Sequence, residues 1–207
     1  MEYIKDPMAI ETKSFEIITE ELGDKTFPER EGKIIKRVIH TSADFEYGDI
    51  TKISQDAIDS ALKALKEGCK IYTDTKMAMS GINKRVLKKL NCEIYCLVDD
   101  AEVTKEAKEK GLTRSMVAME KAVKDEDTKI FVIGNAPTAL FQLCQHIDDG
   151  EKIPALVVGV PVGFVGAAES KEELVKRNVP YITTEGRKGG STVAAAIINA
   201  ILYMITR

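Results

Sequence analysis

The 207-residue chain holds two histidines, His40 and His146. His40 stands in Arg37-Val-Ile-His-Thr-Ser-Ala-Asp-Phe-Glu46, where an apolar run gives way to Thr41, Ser42, Asp44 and Glu46. Imidazole carries protons near neutral pH, so at the end of a strand and beside two hydroxyls His40 is either a general acid–base group or a packed core residue. His146 closes a helical pattern that begins at Ala136. A basic side chain there complements the helix dipole, and a structural role is expected of it. Neither histidine has an HxxH or HExxH neighbour, and Asp44 and Glu46 form no recognisable ligand spacing, so no protein-bound metal is expected.

Other segments carry weaker chemical signals. Gly186-Arg-Lys-Gly-Gly-Ser-Thr192 places its lysine ahead of the glycine pair, which departs from the phosphate loop GxxxxGK[ST]. Backbone N–H groups at a helix start, with Arg187 and Lys188 beside them, can instead hold a carboxylate. Gly159-Val-Pro-Val-Gly-Phe-Val-Gly166 either lets backbone approach a large flat ligand or makes a tight turn. Gly134-Asn-Ala-Pro-Thr138 turns the chain and caps a helix. There is no GxSxG elbow, and no cysteine stands at a strand end with a base, so nucleophilic catalysis lacks support. A binder without catalytic activity stays open.

These residues need elements to place them. Six short runs read as strands: Ile34–Ile39, Lys70–Thr73, Glu93–Val98, Lys129–Ile133, Ala155–Val160 and Tyr181–Thr183. Between most of them lie helical stripes, at 7–22, 53–66, 84–90, 115–123, 136–147 and 169–176. Strands that alternate with helices and are apolar on both faces predict a single three-layer α/β domain over 1–207, its mostly parallel sheet flanked by helices on both faces. In such sheets ligands sit beyond the carboxyl ends of the strands. Those ends carry His40–Asp44, Asp74–Met77, Asp99–Asp100, Gly134–Thr138, Pro161–Gly166 and Glu185–Thr192. The final stripe, Ser191–Ile205, is apolar nearly all round, which requires burial inside the domain or against a second copy.

Composition narrows the class further. Thirty basic and 33 acidic residues give a net charge of −3, against a nucleic-acid surface. Nowhere do eighteen apolar residues run together, and the N-terminus lacks a basic-then-apolar signal, so neither a membrane span nor export is expected. The four cysteines are scattered, with Cys92 and Cys96 inside one strand-like run. They read as reduced thiols, which fits the cytoplasm. No repeat or linker divides the chain. Gly23–Gly32 is its most loop-like part.

Five segments in order resemble one family: RVIHTSADFEY (37–47), TDTKMAMSGI (73–82), GNAPTAL (134–140), GVPVGFVGAAESKE (159–172) and TTEGRKGGSTVAAA (183–196), with an opening YIKDPMAI from Tyr3. Together they are similar to precorrin-8 methylmutase, the corrin-ring methyl-shifting enzymes of cobalamin biosynthesis. The resemblance implies an isomerase that moves a methyl group from C-11 to C-12 of a carboxylate-rich tetrapyrrole. The product is hydrogenobyrinate, or cobyrinate from the cobalt-loaded ring, and no redox cofactor is needed. It implies His40 as proton donor, and a homodimer with the site near the subunit interface. By the same similarity Ser14 and Arg114 are the foremost carboxylate contacts, with Thr41, Ser42, Gly163, Gly166, Gly189 and Ser191 as further candidates. Arg37 alternates with His40 along the expected strand and is left out as facing away. The competing reading is a carrier that binds the corrin without turnover.

Overall fold

The computed structural model describes residues 4–206; Tyr3, at the start of the opening motif, lies outside them. Six strands form one sheet: β1 (Thr51–Ile53), β2 (Lys70–Thr73), β3 (Glu93–Tyr95), β4 (Thr128–Ile133), β5 (Leu156–Gly159) and β6 (Tyr181–Thr184), in the order β1-β6-β5-β4-β2-β3. All neighbours run parallel except β1, which pairs antiparallel with β6 through Thr51 opposite Thr184 and Ile53 opposite Ile182. Helices cover both faces. On one side lie α1 (Pro7–Leu22), α2 (Glu29–Ser42), the short α3 (Tyr47–Ile50), α4 (Ala57–Glu67), α5 (Lys76–Gly81), α6 (Lys84–Lys89) and α11 (Ser191–Thr206). On the other lie α7 (Ala101–Lys110), α8 (Arg114–Lys124), α9 (Pro137–Asp148) and α10 (Ala167–Val175). Along β4 the split is visible residue by residue: Ile130 and Val132 enter the first core, Phe131 and Ile133 the second, and all four are buried. The single three-layer α/β architecture is the one expected.

Ile34–Ile39, expected as a strand, belongs to α2. Ile34, Ile35, Val38 and Ile39 are buried, while Lys33, Lys36 and Arg37 sit on the other flank. That spacing suits a helical stripe, and packing against α11 outweighs the β preference of branched side chains. Glu29 and Glu31 in the first turn add favourable dipole interactions, so the expected loop Gly23–Gly32 ends where α2 begins. The sixth strand is instead β1, whose three residues are too few for a periodic signal and which was expected to begin a helix at Ile53. That helix starts four residues later, at Ala57. At the opposite edge β3 stops at Tyr95, so Cys92 and Cys96 flank it and do not share it.

The choice left open for α11 resolves inside the chain. It packs on α2, α4 and α5, and nine of its residues from Val193 to Leu202 are buried. A side chain at Gly81 would come within 2.9 Å of Ala195 Cβ, so α5 can lie this close to α11 only with glycine there.

Candidate functional site

Four loops meet beyond the carboxyl ends of β2, β4, β5 and β6, with the α2–α3 connection beside them. Asp74, the residue after β2, is almost fully buried, and its carboxylate accepts N–H bonds from Gly134 (2.9 Å), Asn135 (2.8 Å) and Ala136 (2.7 Å). Burial pushes its pKa up and the three donors oppose the shift, so a single side chain ties the β2 end to the turn after β4. Thr75 caps α5, and its hydroxyl meets that of Ser191, at the start of α11, at 2.8 Å.

The glycines are chiefly structural here. A Cβ on Gly134 would lie 2.7 Å from Ser191 Cα, and one on Gly189 only 2.2 Å from the Val160 carbonyl oxygen. The loops after β4, β5 and β6 therefore pack backbone to backbone. Gly163 and Gly166 differ: at φ of 151° and 76° they bend the loop after β5 into conformations open to glycine, and nothing approaches a Cβ at Gly163 closer than 3.9 Å. Between them Phe164 and Val165 project into solvent, 83% and 89% exposed. The Arg187 guanidinium stacks over the Phe164 ring at 5.2 Å, and the Gly163 N–H donates to the Arg187 carbonyl.

His40 reaches this rim by a route other than the expected one. It is exposed in the last turn of α2, not at a strand end, and the chain continues through Ala43, in the left-handed region at φ 53°. Lys188 in the loop after β6 then binds the carboxylates of both Asp44 and Glu46, which draws the segment behind His40 onto the rim. Those two carboxylates hold the Lys188 ammonium well above the usual lysine range, so Lys188 is committed within the chain, contrary to its expected role as a carboxylate clamp. The Gly190 N–H is likewise spent, on the Val160 carbonyl.

The immediate surroundings of His40 contain a residue that sequence reasoning missed. Phe15 of α1 stacks on the imidazole with centroids 5.3 Å apart and planes at 16°. Arg37 lies over the Phe15 ring at 4.7 Å and over Tyr203 at 5.2 Å, and pairs with Glu11 at 2.6 Å. On a helix, residues three apart share a face, so Arg37 belongs beside His40 and not opposite it. Ser14, next to Phe15, donates its hydroxyl to the Ile10 carbonyl at 2.8 Å. Ser42 donates to the Val38 carbonyl and accepts the Asp44 N–H. Thr41 is exposed on the last turn of α2.

Arg114 begins α8 behind the cap Thr113, whose hydroxyl meets that of Thr138 in the turn after β4 at 3.2 Å. It is exposed and close enough to Asp99 to help its partner Lys76 hold that carboxyl below the usual range. Arg114 thus occupies the β2–β4 end of the rim and His40 the β6–β1 end, with the Phe164 loop between them. A cavity of about 780 Å³ lies elsewhere, between α1, α2 and α11, and reaches the rim group only through Phe15 and Arg37. Among the described residues no cluster of three or more His, Cys, Asp or Glu could hold a metal, and no helix is long and apolar enough to cross a membrane.

The family model Precorrin-8X methylmutase matches residues 9–204. The chain belongs to the precorrin-8X methylmutase family. It is 51% identical over 210 residues to a cobalt-precorrin-8 methylmutase of Salmonella typhimurium, covering 98% of each chain, and 51% identical over 195 residues to that of Priestia megaterium, covering 94% and 87%. A precorrin-8X methylmutase of Pseudomonas aeruginosa is 41% identical, with 97% of each chain covered. Among solved structures, precorrin-8X methyl mutase from Thermus thermophilus superposes with a TM-score of 0.88 at 38% identity, covering 96% of this chain and 98% of that one. The five segments similar to the methylmutase family are the rim: the end of α2, the turns after β2 and β4, the β5–α10 connection and the β6–α11 connection.

Proposed function

We propose that the chain is an isomerase that moves the C-11 methyl group of precorrin-8 to C-12 in cobalamin biosynthesis, with His40 as proton donor. The observation that carries this reading is 51% identity over 98% of each chain to a protein named cobalt-precorrin-8 methylmutase. The rearrangement is internal to the ring: one carbon–carbon bond breaks at C-11 and one forms at C-12, and a proton lent to the conjugated system makes it more electron-poor during migration. General acid help of this kind is worth about 10²- to 10⁴-fold. His40 is exposed, held flat against Phe15 and fixed to the rim through Asp44 and Lys188, which suits a group that must meet a broad ring face. Arg114 at the other end of the rim supplies a cation for the peripheral carboxylates, and Ser14, Thr41, Ser42, Gly163, Gly166 and Ser191 are further candidate contacts, while Gly189 serves the packing of the β5 and β6 loops.

Two relatives named for the cobalt-loaded ring are 51% identical and one named without cobalt is 41% identical, which favours cobalt-precorrin-8 as substrate. Four free cysteines support a cytoplasmic location. Exposed Phe164 and Val165 at the rim support a homodimer whose second subunit helps to cover the ring. The enzyme and the carrier readings part in one mixture: substrate with a hundredth of its amount of protein is fully converted by an enzyme, and changes only in proportion to the protein if the chain is a carrier.

A further inference from the structure

Lys171, on α10, is 2% exposed and forms no ion pair among the described residues. Its ammonium donates to the Lys188 carbonyl at 2.8 Å and to the Thr184 hydroxyl at 3.2 Å, and the Thr184 hydroxyl donates to the same carbonyl at 2.7 Å. The loop 184–188 is therefore closed from the inside. From the outside, the Lys188 ammonium binds Asp44 and Glu46, and the Asp44 N–H donates to Ser42 Oγ at 3.3 Å. Ala43 donates to the Ile39 carbonyl at 2.7 Å, which completes the fastening of the chain on both sides of His40.

We infer that Lys171 is a positioning residue for the reaction: it fixes the loop after β6 so that Lys188 can hold the segment behind His40 in place. The inference rests on reading His40 as the working group of the rim. A buried ammonium without a carboxylate partner is costly, and burial lowers its pKa to about 8. The charged groups lining the cavity beside it are Glu31 of α2, Lys52 of β1, Glu172 of α10, Lys176 just after α10, and Glu185 after β6, and none of them pairs with it. An apolar side chain of similar length would fill the space at lower cost. Stability alone gives no reason for the charge, whereas anchoring a carbonyl at a working loop does.

With two histidines in the chain, proton NMR of their ring Cε1–H signals reads this link directly on the intact protein. In Lys171→Met the thermal midpoint should hold or rise, the His40 signal should shift or broaden, and the His146 signal, whose ring is held by Glu151 at 2.6 Å on the far end of α9, should stay. Turnover should fall about ten- to a hundredfold with KM little changed, as expected for a misplaced working group. Lys188→Met should reproduce the pattern, and the double variant should lose no more than the worse single one. A folded Lys171→Met with an unmoved His40 signal and wild-type kcat overturns the inference. If that variant does not fold, an unmoved His40 signal in Lys188→Met overturns it equally. A fully active His40→Ala enzyme would instead refute the role given to His40, and the NMR comparison would still decide the link from Lys171.

Discussion

His40, one of two imidazoles, stands exposed in the last turn of α2 among Thr41, Ser42 and Asp44, with Phe15 stacked on its ring. The expected strand put Arg37 on the far side, whereas the helix puts Arg37, Phe15 and His40 together. Phe15 and Lys171 gave no local signal, because each works through partners distant in sequence: Phe15 through His40, Lys171 through Thr184 and Lys188. Arg114 looked like any solvated arginine at a helix start, and only the family resemblance singled it out. It is exposed and already adjacent to Asp99, so its contribution should lie in substrate binding. Arg114→Ala is expected to raise the dissociation constant about tenfold, the order of one charge-assisted contact. The defect should shrink when the substrate carboxylates are amidated. Titration of both ring forms checks this, and an unchanged constant removes Arg114 from the site.

At the scale of elements, segments marked by strong local signals are legible in the sequence whatever their length, and those set by packing or pairing with distant residues are not. Pro7–Leu22 was read correctly to the residue, since a proline at its start and a full apolar stripe mark it, with Asp6 capping the Ala9 N–H at 2.7 Å. Lys70–Thr73 was equally clear. α2 was misread because four β-branched residues in six outweigh the helical spacing when only local propensity is weighed. β1 was missed because its identity comes from pairing with β6, where Thr51 meets Thr184 and Ile53 meets Ile182, far away in the chain. The loops gave themselves away by glycine, but whether glycine served a ligand or the fold depended on what stood opposite. Gly189 decides for the fold: a methyl group there meets the Val160 carbonyl at 2.2 Å and would push apart the β5 and β6 loops. Gly189→Ala is expected to cost about 3 kcal/mol by overpacking. Urea unfolding reads the loss, and a change within about 0.5 kcal/mol, the range of neutral surface substitutions, would show that the loops can yield.

The molecule as a whole presents its candidate site residues beyond the carboxyl ends of a mostly parallel sheet, with the Phe164–Val165 pair standing between Arg114 and His40. Two large apolar side chains this exposed, beside a stacked arginine, suit a surface covered in the working state by ring, by a second subunit or by both. Light scattering is expected to give twice the mass of one 22.8 kDa chain for the wild type and a shift toward single mass for Phe164→Ser with Val165→Ser. A stable dimer in that variant would move the interface elsewhere on the molecule.

The central claim is that this fold lends a proton from His40 to a rearranging ring. The direct measurement is the turnover of cobalt-precorrin-8 by wild type and by His40→Ala, each at catalytic amount, with the dissociation constant for the ring taken in parallel. The expected result is a kcat lower by about 10²- to 10⁴-fold in the variant, with binding and thermal midpoint preserved. Turnover at the wild-type rate in a variant that binds equally well would contradict it.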